Sequence, residues 1–389
     1  MAQQSTNDPA SQLNLGRING AGNATNNRDL YLKLFSGEMF TGFQRETIAR
    51  DLVQKRTLTN GKSLQFIYTG RTTAEYHTPG NSILGNDQKA PPVAEKTITV
   101  DDLLISSAFV YELDETLSHY ELRGEISRKI GYALAQKYDR LIFRAIAKGA
   151  RQASPVSMTN FKEPGGTQIQ VGGGSDADDA YNSTHLINAF YDAAAALDEK
   201  GVSEDGRVAV LTPRQYYSLI QNIESNGLIN RNERGDALQS GNGIIEIAGI
   251  QIFKSMNIPF FSKYGTKYAP SSGASAATDL ATADPGNTGS WVSEGIEAAN
   301  TATGNNYGAR QNYGAASNFA NSCGLIFQRE AAGVVETIGP QVQVTSGDVS
   351  VVYQGDVILG RMAMGADFLN PAASVELFAG TSTKPAAFN

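Results

Sequence analysis

Apolar residues recur at spacings of three and four through residues 114–148, DETLSHYELRGEISRKIGYALAQKYDRLIFRAIAK, where Leu122, Ile126, Ile130, Ala133, Leu134, Leu141 and Ala145 share one broad face. No proline interrupts the run. It opens on Asp114 and Glu115 and closes on Arg140, Arg144 and Lys148, the polarity a helix macrodipole favours. The spacing predicts one helix over 114–148, about 50 Å long at about 1.5 Å per residue. A second line, Gly124, Gly131, Ala135 and Ile142, falls on an adjacent face. A seam of small residues lets another backbone approach, which would offset the roughly 1 kcal/mol each glycine costs in a helix relative to alanine. Glycines tolerated on a solvated face would leave the same pattern.

The rest of the chain is patterned around this helix. Residues 1–27 are rich in Asn, Gln, Gly and Ser and read as an arm. From Asp29, the residues Leu30, Leu34, Phe35, Met39, Phe40 and Phe43 form an apolar face broken at Gly37 and Gly42, predicting two short helical pieces stuck to something larger. Between Leu52 and Leu104 the period becomes two: LVQKRTL and KSLQFIYTG flank Asn60-Gly61, a pair suited to a type I′ hairpin turn. Alternation returns at 97–100 after an irregular polar stretch, and the whole reads as an elongated, polar finger without a core of its own.

After the helix, residues 151–184 carry loop signals throughout. HLINAFYDAAAALDEKG predicts a helix capped by Gly201, 208–211 a buried strand, and the stretch from Pro213 another helix. Two strands are expected around Gly249, one in SCGLIF, two at 341–345 and 349–353, and one in VELF. Residues 265–318 are Gly/Ala/Ser/Thr/Asn-rich with few aliphatics and read as an exposed excursion. The class is α+β.

Composition narrows the function. A chain of 389 residues with 41% hydrophobic and 18% charged residues is globular and long enough for more than one lobe. No apolar run approaches the roughly 20 residues of a membrane span, and the polar N-terminus is unlike a secretory signal, so the reading is a soluble protein without a membrane partner. The single cysteine, Cys323, excludes an internal disulfide and reads as a buried thiol. Net charge is −7, against a dedicated nucleic-acid binder. The first seventy or so residues are nevertheless basic, with Arg17, Arg28, Lys33, Arg45, Arg50, Lys55, Arg56, Lys62 and Arg71.

Chemistry is sparse. His77, His119 and His185 are far apart and lack paired cysteines, so zinc-ligand spacing is missing. Gly61-Lys62-Ser63 resembles the end of a phosphate loop, but Arg56 stands where its first glycine belongs. GGSDA at 173–177 lacks the final glycine of a nucleophile elbow. Asp101-Asp102 and the acids from Asp176 to Asp179 lack calcium-loop spacing and read as solvated loop acids. No catalytic, cofactor or metal residue is assigned; the expectation is a structural protein.

Four strings carry a resemblance: LYLKLFSGEMFTGF at 30–43, SLQFIYTGRTTAEYHTPG at 63–80, KTITVDDLLISSAFVYELDETLSHYELRGEISRKIGYALA at 96–135, and AMGADFLNPAA at 363–373. Their order resembles the major capsid proteins of tailed phages with the Hong Kong 97-type fold, particularly those of short-tailed podoviruses related to coliphage T7. Residues 150–184 and 265–318 depart from it. The resemblance implies an N-terminal arm and amphipathic helix at 1–50 and an extended hairpin loop at 51–104. It implies a peripheral domain at 105–185 with the spine helix 114–148, and an axial domain at 186–338 with an exposed insertion at 265–318. Peripheral strands would return at 339–355 and the axial domain at 356–389.

By the same resemblance the chain would assemble with itself into pentamers and hexamers of an icosahedral shell around double-stranded DNA. Scaffolding protein would assist and a portal protein would occupy one vertex, with assembly in the host bacterial cytoplasm. Asn60, Gly61, Lys62, Arg71, Tyr76 and His77 of the hairpin would meet a neighbouring subunit. Arg17, Arg28, Lys33 and Arg45 would face the interior, with few, sequence-independent DNA contacts. The alternative is an encapsulin-like compartment shell enclosing enzymes.

Overall fold

In a computed structural model of the protein, the described residues are 48–70, 74, 76–80, 92–100, 102–111, 122–156, 163–174, 176–221, 245–258, 319, 321–344 and 354–387. From the amino end they form α1 (Ala49–Leu52), β1 (Gln54–Thr57), β2 (Ser63–Thr69), β3 (Val93–Thr99), β4 (Leu104–Tyr111) and the long α2 (Leu122–Ala150). There follow β5 (Thr167–Gln170), a 3-10 turn at Ala177–Tyr181, α3 (Ser183–Glu199), β6 (Arg207–Leu211), α4 (Pro213–Gln221), β7 (Ile245–Ile247) and β8 (Ile250–Lys254). The last elements are β9 (Ser322–Gln328), β10 (Ala332–Val344), β11 (Gly355–Phe368) and β12 (Ser374–Phe378).

These elements fall into two compact units. Of the described residues, 102–111, 122–137, 337–344 and 354–364 belong to the smaller, and the rest to the larger. In the smaller unit β4 pairs antiparallel with β11, from Tyr111 opposite Gly355 to Leu104 opposite Met362. The first half of α2 lies on this sheet because Gly360 leaves room for it: a Cβ there would sit 2.4 Å from Ile130 Cγ2 and 2.9 Å from Leu134 Cδ1. Ile126, Ile130 and Leu134, three of the predicted stripe, are buried, whereas Ala133 is exposed.

The larger unit is built on a six-stranded mixed sheet in the order β5-β12-β9-β6-β8-β7. Every residue of β6 and β12 is buried. Burial on both faces marks them as interior strands of the sheet. Asn182 caps α3 by accepting from Thr184 N at 3.0 Å, and Gly201, at φ +71°, ends it. Leu186, Ala189, Phe190, Ala193, Ala194 and Leu197 give α3 its buried face. The second half of α2 also belongs here, with every residue from 138 to 147 buried.

Several expectations are corrected. The helix covers Leu122–Ala150; residues 114–121 lie outside the described residues. β1 and β2 do not form a hairpin across Asn60-Gly61. β1 pairs in parallel with β10, Gln54 opposite Gly333 and Thr57 opposite Glu336, while β2 pairs antiparallel with β3. The asparagine–glycine turn thus links two different pairings, with Gly61 at φ +103° supplying the left-handed residue. β5 lies within the stretch expected to be all loop, and β11 was not anticipated as a strand. The strand expected at 341–345 is the end of β10, and that at 349–353 lies outside the described residues.

Candidate assembly surface

Alternation in β2 and β3 creates a ribbon with two unlike faces. Leu64, Phe66 and Tyr68 of β2 and Ala94, Lys96 and Ile98 of β3 form the covered face. Ser63, Gln65, Ile67 and Thr69 with Val93, Glu95 and Thr97 form the open one. The covered face is held by its own chain. Arg56 lies over the Phe66 ring at 5.2 Å. Lys96 bonds Asp367 at 3.0 Å and sits 3.6 Å above the Phe368 ring. Lys148, at the end of α2, reaches the other Asp367 oxygen at 3.3 Å. Burial lowers the Lys148 pKa, with Asp367 opposing and Lys96 adding to the shift. Burial raises the Tyr68 phenol, and the nearby Asp367 and Glu330 carboxylates add to that. The base of the finger is thereby fixed on its own unit.

The open face has no such partners. Ile67 is 76% exposed and Val93 59%. They lie diagonally across the ribbon, since Ile67 stands opposite Glu95 and Val93 opposite Thr69. Tyr76, in the segment joining the two strands, is fully exposed, as is the neighbouring His77 in large part. Asn60, Gly61 and Lys62 are exposed at the base, where Lys62 O accepts from Val100 N at 2.8 Å. Arg71 lies outside the described residues, as do Arg17, Arg28, Lys33 and Arg45.

The seam residues of α2 are distributed along its length. Gly124 is exposed, Gly131 has no atom within 4 Å of the position of an added Cβ, Ala135 is half-buried, and Ile142 is fully buried. No backbone of this chain approaches Gly131 among the described residues.

Three polar clusters that pattern reading missed hold the larger unit. Arg151 and Glu376 form a two-pronged ion pair, Nε to Oε2 at 2.8 Å and Nη2 to Oε1 at 2.6 Å, with both side chains wholly buried. Ser322 and Gln168 donate to the same carboxylate. Gln168 also donates to Pro385 O at 2.9 Å and Gln170 to Thr381 O at 3.1 Å, strapping the C-terminal residues down. Glu336 accepts from Lys55 at 2.6 Å, Arg50 at 3.3 Å and the Tyr138 hydroxyl at 2.7 Å. Burial alone would raise its pKa, but these donors together hold it below the ordinary range. Asp139 on α2 accepts from the backbone of Ile48 and Ala49 at 3.0 and 3.1 Å. A charged residue within a helical pattern is read as surface, so only its place one turn from the buried stripe could have flagged it.

Among the described residues no group of three His, Cys, Asp or Glu side chains could hold a metal ion, and no helix is long and apolar enough to cross a membrane. Cys323 is buried, and burial pushes its thiol well above the usual range. Asp176 caps the 3-10 turn by accepting from Asp178 N, and Asp179 lies 3.4 Å from His185 Nδ1.

The fold is that of phage capsid proteins. The capsid structure of Cyanophage P-SCSP1u matches at a TM-score of 0.65 and 30% identity over 94% of this chain and 97% of that one. The mature capsid of bacteriophage PhiM1 matches in fold at a TM-score of 0.60 over 94% of this chain and 97% of that one, at 15% identity. The chain belongs to the Gp10A-like major capsid protein family, whose model matches residues 65–294. The major capsid protein of Escherichia phage T7 is 26% identical over 363 residues, 89% of this chain and 90% of that protein.

Proposed function

We propose that this chain builds an icosahedral shell of pentamers and hexamers that encloses the double-stranded DNA of a tailed, podovirus-like phage. The carrying observation is the ribbon: a finger pinned on one face by Lys96 and Arg56 still exposes Ile67 and Val93 on the other. In a closed symmetric assembly that face finds its cover on an adjacent copy. In this reading 51–104 is the extended loop lying over the neighbour, with Asn60, Gly61, Lys62, Arg71, Tyr76 and His77 in the contact. Residues 105–185 and 339–355 are the peripheral domain, 186–338 and 356–389 the axial domain around each capsomer centre, and 1–50 the arm. Arg17, Arg28, Lys33 and Arg45 face the interior and touch DNA weakly and without sequence preference. Scaffolding protein guides assembly in the host cytoplasm and a portal occupies one vertex.

The test is electron microscopy of the purified protein expressed with and without its phage's scaffolding protein. Uniform closed icosahedral shells are expected with scaffold; a monodisperse small oligomer under both conditions would overturn the proposal.

A further inference from the structure

Asp139 is 1% exposed and makes no ion pair among the described residues. Its carboxylate gathers three separate stretches of chain. It accepts from the Ile48 and Ala49 backbone N–H groups, at the root of the amino-terminal arm, and from Asn257 Nδ2 at 3.2 Å, in the turn after β8. Ile48 supplies no side-chain cap for α1, so Asp139 caps that turn from a distance. Asn257 is itself 1% exposed, and its Oδ1 has no partner among the described residues. Turning that amide over brings an unused acceptor to the carboxyl, where a proton on Asp139 can be donated to it. The node can thus be satisfied with the proton present as well as absent.

The charged groups nearby are occupied with one another. Arg50 and Lys55 pair with Glu336, which also accepts from Tyr138. Arg140 and Arg144, next along α2, are buried. Among the described residues the contacts of Asp139 are two backbone amides and one carboxamide, so a negative charge there is buried with no counter-ion among them. We propose that Asp139 is a proton-controlled latch on the root of the amino-terminal arm: protonated, it holds Ile48 and Ala49 in place, and once ionised it lets them open more readily.

The sign follows from linkage. Burial pushes the Asp139 carboxyl up to about 6, outweighing the bonds from Ile48, Asn257 and Ala49 that pull it down. On opening, it regains the aspartate value of about 3.9. The closed node therefore binds a proton more tightly than the open one, and opening becomes easier as pH rises between those values and levels off above the higher. The opening constant is expected to rise about tenfold between pH 5 and pH 7.

Hydrogen–deuterium exchange of the full-length protein, followed on a peptide covering 48–52 and corrected for intrinsic rates with peptides of α3, reads the latch directly. The wild-type opening constant should rise about tenfold over that interval, and Asp139→Asn, which cannot ionise, should give a flat profile. A flat wild-type profile overturns the proposal, and so does a slope that survives in Asp139→Asn. Should that variant fail to fold by circular dichroism, the wild-type profile alone decides.

Discussion

Replacing Arg151 by methionine isolates a wholly buried ion pair of the larger unit. The guanidinium makes two short bonds to Glu376, a third to Ser322 Oγ at 3.3 Å, and lies 5.0 Å from the Phe319 ring centroid. Methionine fills much of the volume but leaves Glu376 as a buried carboxylate with only the neutral donors of Gln168 and Ser322. Breaking one side of such a pair costs about 3–5 kcal/mol, most of it the unpaired charge. Arg151→Met/Glu376→Leu removes that charge and should cost less than Arg151→Met alone, giving a coupling of at least about 2 kcal/mol. Urea unfolding of dissociated subunits, followed by far-ultraviolet circular dichroism with linear extrapolation, measures each corner of the cycle. A single-variant loss below about 1 kcal/mol, or additive losses in the double variant, would refute the assignment of this pair as the clasp of strap, helix and sheet.

Ile67→Asp should leave the circular dichroism of the subunit unchanged yet abolish shells in sedimentation velocity, because each contact loses about 1.5–3 kcal/mol of apolar burial and every subunit repeats it; wild-type yields of shells would contradict this. Gly360→Ala should destabilise by about 1–3 kcal/mol, since its Cβ lands on Ile130, whereas Gly131→Ala should gain up to about 1 kcal/mol in open space. Thermal unfolding of both ranks them, and a Gly360→Ala as stable as wild type would contradict the close approach of Ile130. Glu336→Gln should cost about 1–3 kcal/mol near pH 7. The depressed carboxyl stabilises above the usual glutamate range, and that contribution fades as pH falls through its folded value, so the two proteins should converge in acid. Urea midpoints at pH 7 and in acid check it, and a constant gap counts against the network.

The long helix was legible because its stripe repeats over several turns, and Ile126, Ile130, Leu134, Leu141 and Ala145 are all buried. The finger was legible for the same local reason, by period two. What escaped depends on distant partners. QKRT was expected as a strand, but its partner, Gly333 to Glu336, lies far away in sequence and was not foreseen. TQIQ reads as polar loop, yet its backbone pairs with β12 and its glutamines bind the C-terminal strap. The glycines of GDVILGRMAMGADF suggest turns, but Gly360 and Gly365 mark close approaches of α2 and of Thr99 O inside a continuous strand. The buried polar nodes at Asp139, Arg151 and Glu336 follow no periodicity, since a charge in a helix or strand looks solvated until its partner is placed.

The parallel pairing of β1 with β10 and the interior position of β12 bear on timing during synthesis. Residues 54–57 wait for 333–336, and the six-stranded sheet cannot close until Ser374–Phe378 slot between β5 and β9. Such long sequence separations make folding late. A polysome carries many such chains side by side at high local concentration, all with exposed ribbons. None has a finished sheet or a clasped finger base until residues 367–378 have been made, so strand order itself delays association to late in synthesis.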